Sequence, residues 1–211
     1  VPANVLFVVL DTARADVFEP YGAKRGSSPA IAQLASNGSA VEHAYAPASW
    51  TVPSHASMLT GTLSRSLGLG QVPGGQRHLC QPLMAAVRDR YLPGVLAERG
   101  YDVRGVSANP WISSASGFGQ GFASFEEVAS TRRGRMHDPH AKARIKWALE
   151  AFVANVDHGA EQVEATVNRW LDDGPHEPFF WFVNLLECHS PYLPPKPYNS
   201  LNAYQRLLAA E

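Results

Sequence analysis

The stretch Asn4-Val5-Leu6-Phe7-Val8-Val9-Leu10 has no polar alternation after its asparagine and runs directly into Asp11. A strand with one wet face alternates apolar and polar side chains. One without alternation is expected to be covered on both faces, as in a parallel sheet between helices. Parallel strands need crossovers, and the rest of the chain supplies them. Residues 101–106 and 179–185 read as two more strands of the sheet, with a short strand expected near Val41. Ser28-Pro29 starts a helix with Ile31, Leu34 and Ala35 on its apolar stripe, ended by Asn37-Gly38. Residues 51–61 read as a cap, a short helix and a glycine stop at Gly61, and residues 91–99 as a helix stopped by Gly100. Asp138-Pro139 opens a helix carrying Ile145, Leu149, Phe152, Val153 and Val156. Val163, Val167, Trp170 and Leu171 mark another, ended at Gly174-Pro175. Residues 66–81 read as a surface excursion and residues 109–121 as a long loop beyond the second strand. The rhythm predicts one α/β domain with a mostly parallel sheet flanked by helices.

Composition narrows what such a domain does. The chain has 211 residues, 45% of them hydrophobic, enough to bury a core. Its 18 Lys and Arg balance 19 Asp and Glu, a net charge of −1 that argues against a nucleic-acid partner. No apolar run approaches the roughly 20 residues of a membrane span. Two cysteines, Cys80 and Cys188, make no disulfide framework. Gly117-Phe118-Gly119-Gln120-Gly121 lacks the strand and helix a dinucleotide turn needs, and no P-loop, zincin motif or CxxC pair occurs.

Several residues at strand ends carry candidate chemistry, because open α/β sheets place their sites at the carboxyl ends of strands. Asp11 reads either as a ligand for a hard or borderline metal or as a turn cap. Arg14 either holds a phosphate or sulfate group or pairs with Asp16. Thr51 and Ser54 are candidate nucleophiles: Pro53 suits a first helical turn, whose unpaired N–H groups favour an anion. A hydroxyl needs a base or a metal to attack, and Thr51 reads equally as an N-cap worth about 1 kcal/mol. His189, two residues after Glu187 and just past the third strand, either serves an anionic substrate or is a surface-loop histidine. Asn109 stands in the corresponding place after the second strand. His43, His137, His140 and His158 have no such context, and Trp111, Trp147, Trp170 and Trp181 read as packing.

Three stretches together resemble the sulfatases of the alkaline phosphatase superfamily. The first is residues 4–16, ending Leu10-Asp11-Thr12-Ala13-Arg14-Ala15-Asp16, followed by Tyr21-Gly22 and by Ser28-Pro29 to Gly38. The second is Ser49-Trp50-Thr51-Val52-Pro53-Ser54-His55-Ala56-Ser57-Met58-Leu59-Thr60-Gly61. The third is residues 179–185 with His189-Ser190-Pro191-Tyr192 behind it. The resemblance implies an alkaline-phosphatase-like sheet, a divalent metal (Ca, Mn or Zn) at its carboxyl edge, and cleavage of sulfate or phosphate esters. The substrate would be a small-molecule, glycan or lipid ester. By resemblance Asp11 is a metal ligand, Thr51 falls at the nucleophile and beside the metal, and His189 falls at the leaving-group oxygen. Arg14, His55 and Asn109 are the expected substrate-binding residues.

The pattern departs from most sulfatases, which carry Cys or Ser before x-Pro-x-Arg and oxidise it to formylglycine. Here Thr51 cannot give that aldehyde, His55 replaces the arginine, Thr12 replaces a second aspartate, and Asn109-Pro110-Trp111 replaces a Lys-x-His pair. Cys80-Gln81-Pro82-Leu83-Met84 lacks the arginine and lies in the wrong place. A threonine nucleophile is similar to the phosphodiesterase, phosphonate and phosphoglycerol-transfer branches. It implies direct attack by Thr51, a covalent ester and its hydrolysis by water, a scheme that suits phosphate somewhat better than sulfate. The family's remaining ligands come from later strands. Residues 1–211 are therefore expected to be the N-terminal part of a catalytic domain, completed by a C-terminal portion of the same gene product. Residues 199–211 enter a helix with Tyr204, Leu207 and Leu208 on one side and stop without a cap. The alternative is a non-catalytic member that binds an anionic ligand or a partner protein.

Overall fold

The computed structural model describes residues 2–24, 26–69, 80–128 and 158–189. Its strands are β1 (Val5–Leu10), β2 (Asp102–Ser107), β3 (Ser124–Glu127) and β4 (Phe179–Leu185). Its α-helices are α1 (Pro29–Asn37), α2 (Thr51–Thr60), α3 (Gln81–Ala85), α4 (Leu92–Ala97) and α5 (Ala160–Asp172). The four strands form one parallel sheet in the order β1-β4-β2-β3. The last strand in sequence is thus inserted between the first and second. Leu10 lies opposite Leu185, and Asn184 opposite both Val9 and Ser107, so β1, β2 and β4 end at one edge.

The alternating side chains of β4 build the two halves of the core. Phe180 and Phe182 pack into one cluster with Val52, Ala56 and Leu59 of α2 and with Tyr91 and Phe118. Trp181 and Val183 face the opposite layer, where Val163 and Trp170 of α5 meet Val106 of β2. Trp170 and Trp181 meet edge-on with ring centroids 5.3 Å apart. The sheet therefore lies between helices, the α/β fold expected of an alkaline-phosphatase-like sulfatase domain. Gly105 of β2 is required by this packing. A Cβ there would stand 2.6 Å from the Phe125 ring and 2.9 Å from that of Phe122.

The structure changes several expectations. It is β4, not β1, that is covered on both faces. Among the described residues β1 is an edge strand paired only with β4, and Leu6 and Val8 are 54% and 45% exposed. An unbroken apolar run reports what its two faces prefer, not how many strands lie beside it. No strand forms near Val41, which is exposed in a loop. β3 was not expected, because Ser-Phe-Glu-Glu has one apolar residue. Its two glutamates point to opposite faces: Glu126 pairs with Arg169 of α5 at 2.7 Å, and Glu127 accepts the Ser114 N–H at 2.8 Å. The excursion at residues 66–81 contributes to the core: Leu67, Leu69 and Cys80 are buried. Leu171 is exposed rather than on the apolar stripe of α5. The expected helix after Asp138, Trp147, the helix at residues 199–211 and the loop of Tyr192 lie outside the described residues. No helix among the described residues is long and apolar enough to cross a membrane.

Candidate active site

The site grows from the carboxyl ends of β1, β2 and β4 and from the start of α2. Asp11 continues the ladder of β1, its N–H donating to the Leu185 carbonyl at 2.9 Å, and its side chain is buried at the edge, 7% exposed. The chain then turns sharply. Thr12 takes a left-handed backbone, φ 61°, and Ala13 N–H returns to the Leu10 carbonyl. Few β-branched residues occupy that region, and the cost is about 1–3 kcal/mol. Here the Thr12 hydroxyl offsets part of it by donating to the Cys188 carbonyl at 2.8 Å. This bond ties the turn after β1 to the turn after β4.

α2 begins at Thr51 on an extended Trp50, whose carbonyl accepts the Ser54 N–H. Thr51 is therefore the first helical residue and not the cap. Pro53 sits in the first turn, where the proline lacks no bond the helix would use. Both Val52 and Ala56 are buried, so the helix is seated on the sheet with its N-terminus over the edge. The Thr51 hydroxyl donates to Asp11 Oδ2 at 3.3 Å. Asn109 Nδ2 donates to the same Asp11 oxygen at 2.6 Å and lies 3.4 Å from the Thr51 hydroxyl. Asn109 Oδ1 accepts the Trp111 N–H at 2.9 Å, which orients the amide so that its NH2 points inward. Trp111 in turn meets Trp50 edge to face, centroids 5.9 Å apart. Asp11, Thr51 and Asn109, distant in sequence, thus form one cluster.

The remaining expected residues are placed as follows. Arg14 makes a two-pronged pair with Asp16, at 3.0 and 2.7 Å, on the exposed surface after the Thr12 turn. The guanidinium beside it holds the Asp16 carboxyl below its usual range. His189 lies half-buried on the turn after β4, its N–H on the Leu186 carbonyl. Glu187 on the same turn accepts the N–H groups of His158 and Ala160 at 3.1 and 3.0 Å, placing a carboxylate at the start of α5. His55, expected at a substrate, is 2% exposed. One ring nitrogen faces the Thr51 carbonyl at 2.8 Å and the other Asn184 Nδ2 at 3.0 Å. Both are engaged inside the protein, so the ring offers no surface to a ligand. Burial pushes its pKa down, against the smaller opposing pull of the Thr51 carbonyl and the Asp11 charge.

Ser107 and Asn184 escaped the sequence reading. Asn184 is fully buried in β4 beside Val183 and Leu185. A lone amide in an apolar strand was the available signal, because a buried amide must find partners. Neither cysteine competes as nucleophile. Burial raises the Cys80 pKa, and burial with the Glu187 and Asp11 charges raises that of Cys188, keeping both as thiols.

Asp11 and Thr51 present the oxygen donors a hard divalent cation takes, and the amide NH2 of Asn109 is no ligand. Among the described residues no three His, Cys, Asp or Glu side chains group as a metal cage. The donors present fit part of a coordination sphere.

A search of curated protein sequences found no match to the chain. The family model described as Sulfatase matches residues 3–209, spanning all four strands and every side chain of this cluster. With a parallel sheet between helices and a polar cluster at its carboxyl edge, the chain belongs to the sulfatase family, whose members hydrolyse sulfate esters.

Proposed function

We propose that this chain forms the N-terminal part of a metal-dependent ester hydrolase in which Thr51 is the nucleophile. The observation that carries the reading is the Thr51 hydroxyl at the mouth of α2, 3.3 Å from the buried Asp11 carboxylate and 3.4 Å from Asn109 Nδ2. Asp11 and Thr51 would hold the metal (Ca, Mn or Zn). Two oxygens fall short of the about six to eight that calcium takes, so a C-terminal portion of the same gene product would supply the rest. A bound divalent cation would lower the pKa of the hydroxyl and stabilise charge on the ester oxygens.

The chain's own residues carry the remaining steps. The Thr51 proton leaves along its hydrogen bond to Asp11. A bond from Thr51 Oγ to sulfur or phosphorus forms as the bond to the leaving oxygen breaks. That oxygen takes a proton from His189 or from water; a water then cleaves the Thr51 ester, Asp11 returning its proton to Thr51 Oγ and the proton released by the water restoring His189. Asn109 Nδ2 and Arg14 would bind the anionic group, Arg14 by exchanging Asp16 for the ester. A threonine ester has no aldehyde to collapse to and must be hydrolysed at its centre, which favours phosphate esters over sulfate. The substrates would be small-molecule, glycan or lipid esters.

The donor set among the described residues, short of a full coordination sphere, favours a second reading, a non-catalytic sulfatase-like protein that binds an anion or a partner protein. One experiment separates the two. The full-length gene product is stripped of metal, reloaded with Ca, Mn or Zn, and assayed on aryl sulfate, aryl phosphate and bis-aryl phosphate beside Thr51→Ala. Metal-dependent turnover is expected, lost by roughly a thousandfold or more in the variant. Turnover that survives in Thr51→Ala removes the nucleophile. No turnover together with weak metal binding leaves the non-catalytic reading.

A further inference from the structure

Four buried polar side chains join the two ends of Thr51. Asn109 Nδ2 lies 3.4 Å from the Thr51 hydroxyl, and the Asn109 backbone N–H donates to Ser107 Oγ at 3.1 Å. The Ser107 hydroxyl lies between the Asn109 carbonyl at 3.1 Å and Asn184 Oδ1 at 3.4 Å. Asn184 Nδ2 meets His55 Nε2 at 3.0 Å, and His55 Nδ1 meets the Thr51 carbonyl at 2.8 Å. All four residues are buried. The circuit starts and finishes on the same threonine, and it crosses from α2 through β4 to β2 and the loop behind it.

The chemistry of the carbonyl orders this circuit. A carbonyl oxygen can only accept, so His55 Nδ1 must carry a proton. In the neutral ring Nε2 is then the acceptor, which turns the NH2 of Asn184 toward it and the amide oxygen toward Ser107. The ring also rests edge-on against Phe182, with centroids 6.2 Å apart and planes at 88°. Both nitrogens are thereby engaged, and the ring is packed against an aromatic neighbour.

We propose that His55 is a positioning residue that acts through Thr51: as the Nδ1–H tautomer, fixed by Asn184, it clamps the nucleophile's backbone to the sheet that carries Asp11 and Asn109. Its catalytic consequence rests on the reading of Thr51 as the nucleophile. A helix start seated only on apolar contacts can slide by fractions of an ångström. Directional bonds from the imidazole to the first-turn carbonyl oppose that motion at the residue whose hydroxyl must meet the ester. Misplacement of a reacting group by about 1 Å can cost on the order of 100-fold in rate.

The test uses two variants and one spectrum of the full-length gene product. His55→Phe keeps a flat ring against Phe182 and removes both bonds. His55→Gln offers an amide N–H to the Thr51 carbonyl and an amide oxygen to Asn184. Per folded molecule, kcat is expected to fall about 10- to 100-fold in H55F, with KM within about twofold and partial recovery of kcat in H55Q. Nitrogen-15 spectra of the wild-type imidazole are expected to show a protonated Nδ1 and an unprotonated Nε2. A raised KM with unchanged kcat would make His55 a substrate contact and overturn the proposal. So would a lowered melting temperature with kcat intact, which is what a merely structural histidine gives. If wild type turns over none of the esters and binds metal weakly, the hydrolase reading falls, and the spectrum still decides the clamp: a proton on Nε2 alone overturns it.

Discussion

Thr12 shows how one residue can carry a cost that its neighbours need. Its left-handed backbone, φ 61°, turns the chain away from the sheet directly after Asp11, which leaves the Asp11 carboxylate at the edge beneath α2. The hydroxyl bond to the Cys188 carbonyl holds the turn closed. Thr12→Val keeps the branched shape and loses only that bond, so the strain is no longer opposed. It is expected to lower stability by about 1–2 kcal/mol in urea denaturation. An unchanged midpoint would show that the two turns are not coupled. The roles at this scale follow from partners. Asn109 and His55 are both polar and both near Thr51. Asn109 turns an NH2 toward the hydroxyl, while His55 reaches the carbonyl from below.

At the scale of elements, β4 is the member on which the others depend. Phe182 stands within ring contact of Phe7, Phe122 and His55, so it joins β1, the loop before β3 and α2. Phe182→Ala opens a cavity among all three and is expected to cost about 3–5 kcal/mol, read as a shift of the denaturation midpoint at unchanged slope. A loss below 1 kcal/mol would mean that α2 and the sheet are held mainly by polar bonds. Glu187 links β4 to α5 in another way. By accepting two N–H groups at the start of that helix it fixes the turn that carries His189.

For the molecule as a whole, two properties follow from what is buried and what is not. Tyr91, Cys80 and Cys188 all have pKa values raised first by burial. Their unfolded forms release protons sooner than their folded forms, so the unfolded chain binds fewer protons at high pH and stability falls as pH rises. The loss is expected to begin near the ordinary thiol value of 9.0 and to deepen above the ordinary tyrosine value of 10.0. A flat melting temperature from pH 8 to about 10.5 would contradict it. The second property concerns β1, which among the described residues is an edge strand, carries no charge and exposes Leu6 and Val8 on one face. Unguarded strand edges pair with other chains. Leu6→Lys and Val8→Lys are expected to reduce self-association of the 211-residue chain in light scattering, with stability changed by no more than about 0.5 kcal/mol. A loss of several kcal/mol would show instead that this face is covered.

The amino-acid sequence by itself determined the fold class, three strands to within a residue of Val5–Leu10, Asp102–Ser107 and Phe179–Leu185, and a short helix ending at Gly61, though it made Thr51 the cap and not the first helical residue. These rest on local signals: unbroken apolar runs, a proline in a first turn, a glycine at a helix end. The same signals placed Asp11, Asn109 and His189 just beyond strand ends, and family likeness singled out Thr51. Tertiary structure alone decided the order β1-β4-β2-β3, which among the described residues put an apolar strand at an edge. It alone drew Leu67 and Leu69 into the core, made a strand of a polar tetrapeptide, and buried His55 against Asn184. Strand order and the closing of a polar circuit depend on residues that lie far apart in the chain, such as the pair His55 and Asn184. No periodicity records such a meeting, because the bond exists only once the apolar faces on either side of it have packed.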